Sequence, residues 1–253
     1  MNEAPPESGG ERLNKFLARL GVASRRGCEE IIRAGRVAIS GKPAIDPGRL
    51  VLTGESVTLD GKPLIRQERT VYIKFYKPRD VLTTVRDPFG RKTVMSFFSE
   101  VPDRIYPVGR LDQDSEGLLL LTNDGALTYR LTHPRFEIPK KYRVFVSGTI
   151  ELEELDFLKS GIEKNGTTYR IASGEIKGYT RDCSIVDLIL FEGKKHEIRI
   201  LFDSLKHPVL RLIRLAMGPF ILDQNILPGQ WKYFTQEERK KIQSLMEENT
   251  GCG

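Results

Sequence analysis

The chain has 253 residues, of which 39% are hydrophobic and 29% charged, and carries a net charge of +6, which suits one sizeable core plus a small extra module. No apolar run approaches the ~20 residues that cross a bilayer, and residues 1–10 are polar without a signal-peptide core, so a cytoplasmic chain with no membrane partner is expected. The cysteines Cys28, Cys183 and Cys252 form neither a metal-type pair nor an even disulfide set, and His133, His196 and His207 lack zinc-site spacing. The expectation is a monomer that needs no metal and no small-molecule cofactor.

In chain order, residues 1–10 are expected to be a disordered tail. Leu13, Phe16, Leu17 and Leu20 fall at helical spacing before Gly21, and Ser24 caps a second helix whose inner face is Cys28, Ile31 and Ile32. Val37 and Ile39, then Val57 and Leu59, predict short strands, which makes residues 11–62 a small α+β domain. Residues 11–69 hold 12 Lys and Arg against 7 Asp and Glu, so most of the basic surplus lies in the first quarter. A localised positive face is the footprint of a polyanion binder. Arg12, Lys15, Arg25, Arg26, Arg36 and Lys42 are left on the polar side as candidate phosphate contacts, although a charged helical surface with no ligand has the same composition.

Residues 63–70 have the composition of a linker, and residues 71–253 form the second domain. Val71–Tyr76 alternates as a strand, and Lys77-Pro78-Arg79 is a loop suited to RNA backbone. Further strands are predicted at Leu118–Leu121, Lys140–Val146, Ser184–Phe191 and Val209–Met217, and helices at Ala126–Leu131, Leu152–Leu158, His196–Leu205 and from Thr235 through Met246. Strands outnumber helices without strict alternation, which implies an α+β domain with a mainly antiparallel sheet.

Pro107-Val-Gly-Arg-Leu-Asp-Gln-Asp-Ser-Glu-Gly117 crowds three carboxylates and an arginine into a glycine-flanked segment. An isolated loop of that kind is more often a solvated turn. Here Gly109-Arg110-Leu111-Asp112, followed by Gly117-Leu-Leu-Leu-Leu-Thr-Asn-Asp-Gly125, closely resembles the signature of the ribosomal-RNA pseudouridine synthases, in the branch that modifies single uridines of small- and large-subunit rRNA. Residues 12–41 resemble the alpha-L RNA-binding motif of a small-subunit ribosomal protein and of tyrosyl-tRNA synthetases.

The resemblance implies site-specific conversion of uridine to pseudouridine in ribosomal RNA, free or in a pre-ribosomal particle, by a pseudouridine synthase fold. It implies Asp112 as the catalytic carboxylate, Tyr142 as the ring against the target base, Arg199 as the cation that pairs with Asp112, and Ile198 as the aliphatic side chain under the base. Arg110, beside Asp112, is the candidate to fill the gap left by a flipped nucleotide, and Asp114 and Glu116 are expected only to shape the loop. Two features depart from the pattern, Ile200 where a second basic residue is common and Ser115 where threonine is frequent. Val209–Gly218 looks more like the large-subunit enzymes than the small-subunit one. An RNA N-glycosidase that gives the ribose to water and a non-catalytic rRNA-binding assembly factor remain as alternatives.

Overall fold

The computed structural model describes residues 10–64 and 69–247. Most of the expected disordered tail and the middle of the expected linker lie outside the described residues. The chain divides into two compact units, residues 1–70 and 71–253.

In the first unit, helices Leu13–Arg19 and Arg25–Arg33 pack on a small sheet. Its centre is the antiparallel pair Val37–Ile39 and Val57–Leu59. Leu13, Leu17, Cys28, Ile32, Val37 and Val57 make the core, as the helical and alternating spacings predict. Ser24 caps the second helix by accepting the Gly27 N–H at 3.0 Å.

The second unit is built on a nine-stranded sheet. Along it run Ser173–Tyr179, Cys183–Leu190, Lys140–Ser147, Val209–Met217, Glu116–Thr122, Tyr72–Lys77 and Trp231–Tyr233. Short strands Tyr106–Val108 and Phe220–Ile221 complete it. Every pairing is antiparallel except Ile213↔Glu116 and Arg214↔Gly117, where two strands run parallel. The four leucines follow from the sheet being covered on both faces. Leu119 and Leu121 join Phe75, Val144, Val186 and Phe202 in one core layer, while Leu118 and Leu120 join Leu127, Met217, Phe220 and Ile242 in the other. The predicted box at Thr235 is present, with Thr235 and Glu238 each satisfying the other's main-chain N–H.

The sequence reading leaves out a hairpin, Ile162–Lys164 with Thr167–Tyr169, turned by Asn165 and Gly166 at φ 52° and 71°. It also leaves out strands Ser173–Tyr179 and Trp231–Tyr233, the first diluted by glycines and the second a short edge piece.

Candidate active site

The carboxylate loop leaves the sheet where the parallel joint begins. Gly117, at φ 105°, lets the strand Glu116–Thr122 lie against its neighbour, since a Cβ there would collide with the main chain of Arg214. The Ser115 N–H donates to the Asp112 carbonyl at 3.1 Å and closes a turn. Thr83 braces the loop from outside, its hydroxyl donating to the Leu111 carbonyl at 2.7 Å.

Two buried cations hold the loop from within. The Lys77 ammonium has no solvent exposure and donates to the carbonyls of Pro78, Gln113 and Ser115 at 2.9, 3.2 and 2.8 Å. Burial pushes it down to about 8, against the upward pull of Asp114, Asp112 and Asp80. The expectation that Lys77 faces RNA backbone is therefore wrong, because its donors are consumed by the protein's own carbonyls. Arg214 donates to the Leu118 carbonyl at 2.7 Å and the Arg110 carbonyl at 3.3 Å, so one guanidinium ties both ends of the Asp112 loop. Its remaining Nη2 is buried without a partner.

A pocket of about 250 Å³ opens beside this loop, lined by Arg110, Asp112, Tyr142, Ile198, Arg199 and Leu212 among others. Tyr142 comes from the strand Lys140–Ser147, where a register shift at Lys141/Tyr142 marks a bulge that re-aims the side chain. It is buried but for 7%. Ile198 and Arg199 open the helix Glu197–Ser204, and Ile198 forms an apolar wall. Arg110 is exposed at the pocket's edge. All the catalytic and base-contact candidates of the second unit thus line one cavity.

Their pairing differs from expectation. Arg199 Nη2 lies 2.6 Å from Asp114 Oδ2 and its Nη1 donates to the Val209 carbonyl at 3.2 Å, so the expected pair of Arg199 with Asp112 is not formed. The tight turn after Asp112 swings Asp114 round to the helix that carries Arg199. Facing Asp112 instead is His196, with Nδ1 3.8 Å from Oδ2, held in the left-handed region at φ 56°. Nor is the carboxylate sealed, since the Asp112 side chain is 30% exposed. Glu116 does more than shape the loop, for it accepts from Arg211 at 2.7 Å and from the Tyr76 hydroxyl at 3.2 Å.

Arg214 and His196 are the residues that sequence reasoning missed, while Lys77 was given the wrong role. Arg214 left a trace. Arg211 and Arg214, an odd number of positions apart in an apolar strand, must project to opposite faces, so one of them has to be buried.

On the first unit, Arg12, Arg25, Arg26 and Lys42 are exposed and their side chains make no ion pair among the described residues. Lys15 lies 3.7 Å from Glu11, and Arg36 is bound through Nε at 2.9 Å to Asp60.

This arrangement has known relatives. The RNA pseudouridylate synthase family matches residues 71–204, more than half of the chain, and the S4 domain matches residues 11–57. The chain belongs to the RNA pseudouridine synthases. It is 38% identical over 237 residues to the Bacillus subtilis (strain 168) "Ribosomal large subunit pseudouridine synthase B", covering 93% of this chain and 96% of that protein. It is 39% identical over 233 residues to an "Uncharacterized RNA pseudouridine synthase" of Aquifex aeolicus (strain VF5), covering 91% and 93% respectively. A crystal structure of a pseudouridylate synthase, 27% identical, superposes with a TM-score of 0.64 over 91% of this chain and 99% of that one. The fold is that of these synthases, with an S4 domain at its N-terminus. No helix of the described residues is long and apolar enough to cross a membrane.

Proposed function

We propose that this synthase isomerises a uridine of large-subunit ribosomal RNA, with Asp112 as the reacting carboxylate. The observation that carries the reading is the convergence of Asp112, Tyr142 and Ile198 on one small pocket beside a basic mouth. The reaction breaks the bond from the ribose C1′ to uracil N1, turns the base, and joins C1′ to C5. N1 gains a proton and C5 loses one, so no electrons are exchanged with another molecule. An ionised carboxylate serves by attacking the sugar or the base, or by removing a ribose proton.

The remaining side chains have roles that follow from their surroundings. Tyr142 gives the detached base a flat face that permits rotation, and Ile198 supports it from the apolar wall. Arg199 neutralises Asp114, which spares Asp112 the repulsion of a second free carboxylate two residues away. The open side of Asp112 is covered when the flipped base enters, which removes water from the intermediate. Arg110 at the mouth fills the vacated stack. On the first unit, Arg12, Arg25, Arg26 and Lys42 are free to take phosphate, while Lys15 and Arg36 must first exchange their carboxylates. The enzyme acts in the cytoplasm as a monomer.

Two measurements test this. Asp112→Asn is expected to bind rRNA as the wild type does and to leave uridine unconverted, and surviving turnover would remove Asp112 from the mechanism. Mapping pseudouridines in both rRNAs from cells with and without the protein is expected to show one large-subunit position lost. A lost small-subunit position would overturn the target.

A further inference from the structure

The turn Asp87–Arg91 holds a phenylalanine in solvent beside the active-site pocket. Phe89 is 81% exposed, more than any other large apolar side chain among the described residues. The turn that presents it is firmly built. Asp87 Oδ2 accepts the N–H groups of Phe89 and Arg91 at 3.1 and 2.9 Å, the Arg91 guanidinium closes on Asp87 at 2.7 Å, and Gly90 takes φ 73°. The same guanidinium lies 5.4 Å from the Phe89 ring centroid. A single exposed apolar side chain is ordinary, but a turn tied by this many bonds holds a flat ring in a fixed place, and what lies beside it decides its use.

Next to this turn is a cleft of about 790 Å³ that shares Arg110, Leu111, Asp112, Lys195 and His196 with the base pocket, so the two are continuous. Four aspartates line it, of which Asp87 is bound by Arg91, Asp114 by Arg199, and Asp112 faces His196. Asp80 has no ion pair among the described residues, and the partner of Asp112 is a histidine rather than a fixed cation. Against these two stand Arg86, Arg110 and Lys195, whose side chains make no ion pair or hydrogen bond among the described residues. Uncommitted cations along a groove with one projecting aromatic face are what a single nucleic-acid strand requires, phosphates on the cations and a base on the ring. A protein partner would ask for a contiguous apolar patch, and among the described residues of this segment only Val85 adds an exposed large apolar side chain to Phe89.

We propose that Phe89 is a stacking platform for a nucleotide next to the target uridine, whose phosphates lie across Arg86, Arg110 and Lys195. This rests on the reading of the Asp112 pocket as the uridine pocket. The test is single-turnover conversion of an in vitro large-subunit rRNA transcript by full-length Phe89→Ala, Phe89→Leu and Phe89→Trp, titrated with enzyme. Base–aromatic stacking of ordinary strength predicts that the Ala and Leu variants need on the order of tenfold more enzyme for half-saturation, with most of the loss in that quantity rather than in the saturated rate. The Trp variant should match the wild type. Because Phe89 is in solvent, melting temperatures should be unchanged.

Half-saturation unaltered in Phe89→Ala would overturn the proposal, as would Phe89→Leu performing like the wild type, which would indicate apolar contact without stacking. Asp112→Asn, run in parallel, separates the two readings, since its survival would refute the pocket assignment whatever Phe89 does. Should the wild type convert only a small-subunit transcript, the same series on that RNA decides Phe89, and the target assignment alone falls.

Discussion

The second unit has a use for basic residues that the first lacks, beside the exposed cations that both carry. In the first, Arg12, Arg25, Arg26 and Lys42 stand in solvent with no ion pair among the described residues. In the second, Lys77, Lys140 and Arg214 are buried and donate to main-chain carbonyls, and Lys74 is enclosed by Asp223 and Glu238. A surface cation exchanges water and counterions for phosphate, whereas a buried one is part of the scaffold that shapes the catalytic loop. Composition alone counts both alike, so net charge measures RNA affinity only after the interior cations have been set aside.

Removing an interior cation should have the largest effect. Lys77→Met strands three carbonyls under the Asp112 loop, and should lower unfolding free energy by about 3 kcal/mol in chemical denaturation while cutting the isomerisation rate. A variant of wild-type stability would show that the loop holds itself. Lys140 sharpens the contrast through pH. Burial, with Arg214 next, pushes it down to about 8, and it returns to near 10.5 on unfolding. Between those values the unfolded chain binds more protons, so this lysine makes stability rise with pH. The wild type should therefore gain on the order of 2 kcal/mol relative to Lys140→Met between pH 8 and 10, read from paired denaturation curves. A wild type that gains nothing on the variant over that range, or loses, would refute the assignment.

The exterior cations should instead report through salt. Arg25→Ala with Arg26→Ala should leave melting unchanged and reduce the log–log salt slope of rRNA binding by roughly 1 to 2. Arg36→Ala, whose partner Asp60 is also exposed, should leave stability nearly unchanged in chemical denaturation, the smallest effect of the series.

How much the sequence reveals follows the same division. Segments with one dominant signal were legible, such as the leucine run between two core layers and the Ser24 and Thr235 caps. The site candidates Asp112, Tyr142 and Ile198 were named from a resemblance, and the structure brings them to one pocket. Which carboxylate takes Arg199 was not legible, because one tight turn decides whether Asp112 or Asp114 meets the helix. Lys77 was misread because an amphipathic residue at a strand end has the same pattern whether its head faces water or the loop's carbonyls. The hairpin at Asn165-Gly166 was missed although that dipeptide favours a turn with both φ positive, and its flanking strands, in which no residue is fully buried, lack the apolar alternation that would have marked them.

The clasp between Arg214 and the carbonyl of Leu118 joins positions 96 residues apart. During synthesis the segment bearing Asp112 leaves the ribosome well before the strand that completes it. The nascent polypeptide thus carries the Asp112 loop without its Arg214 clasp until residue 214 has emerged, so the loop can take its final bonds only late in synthesis.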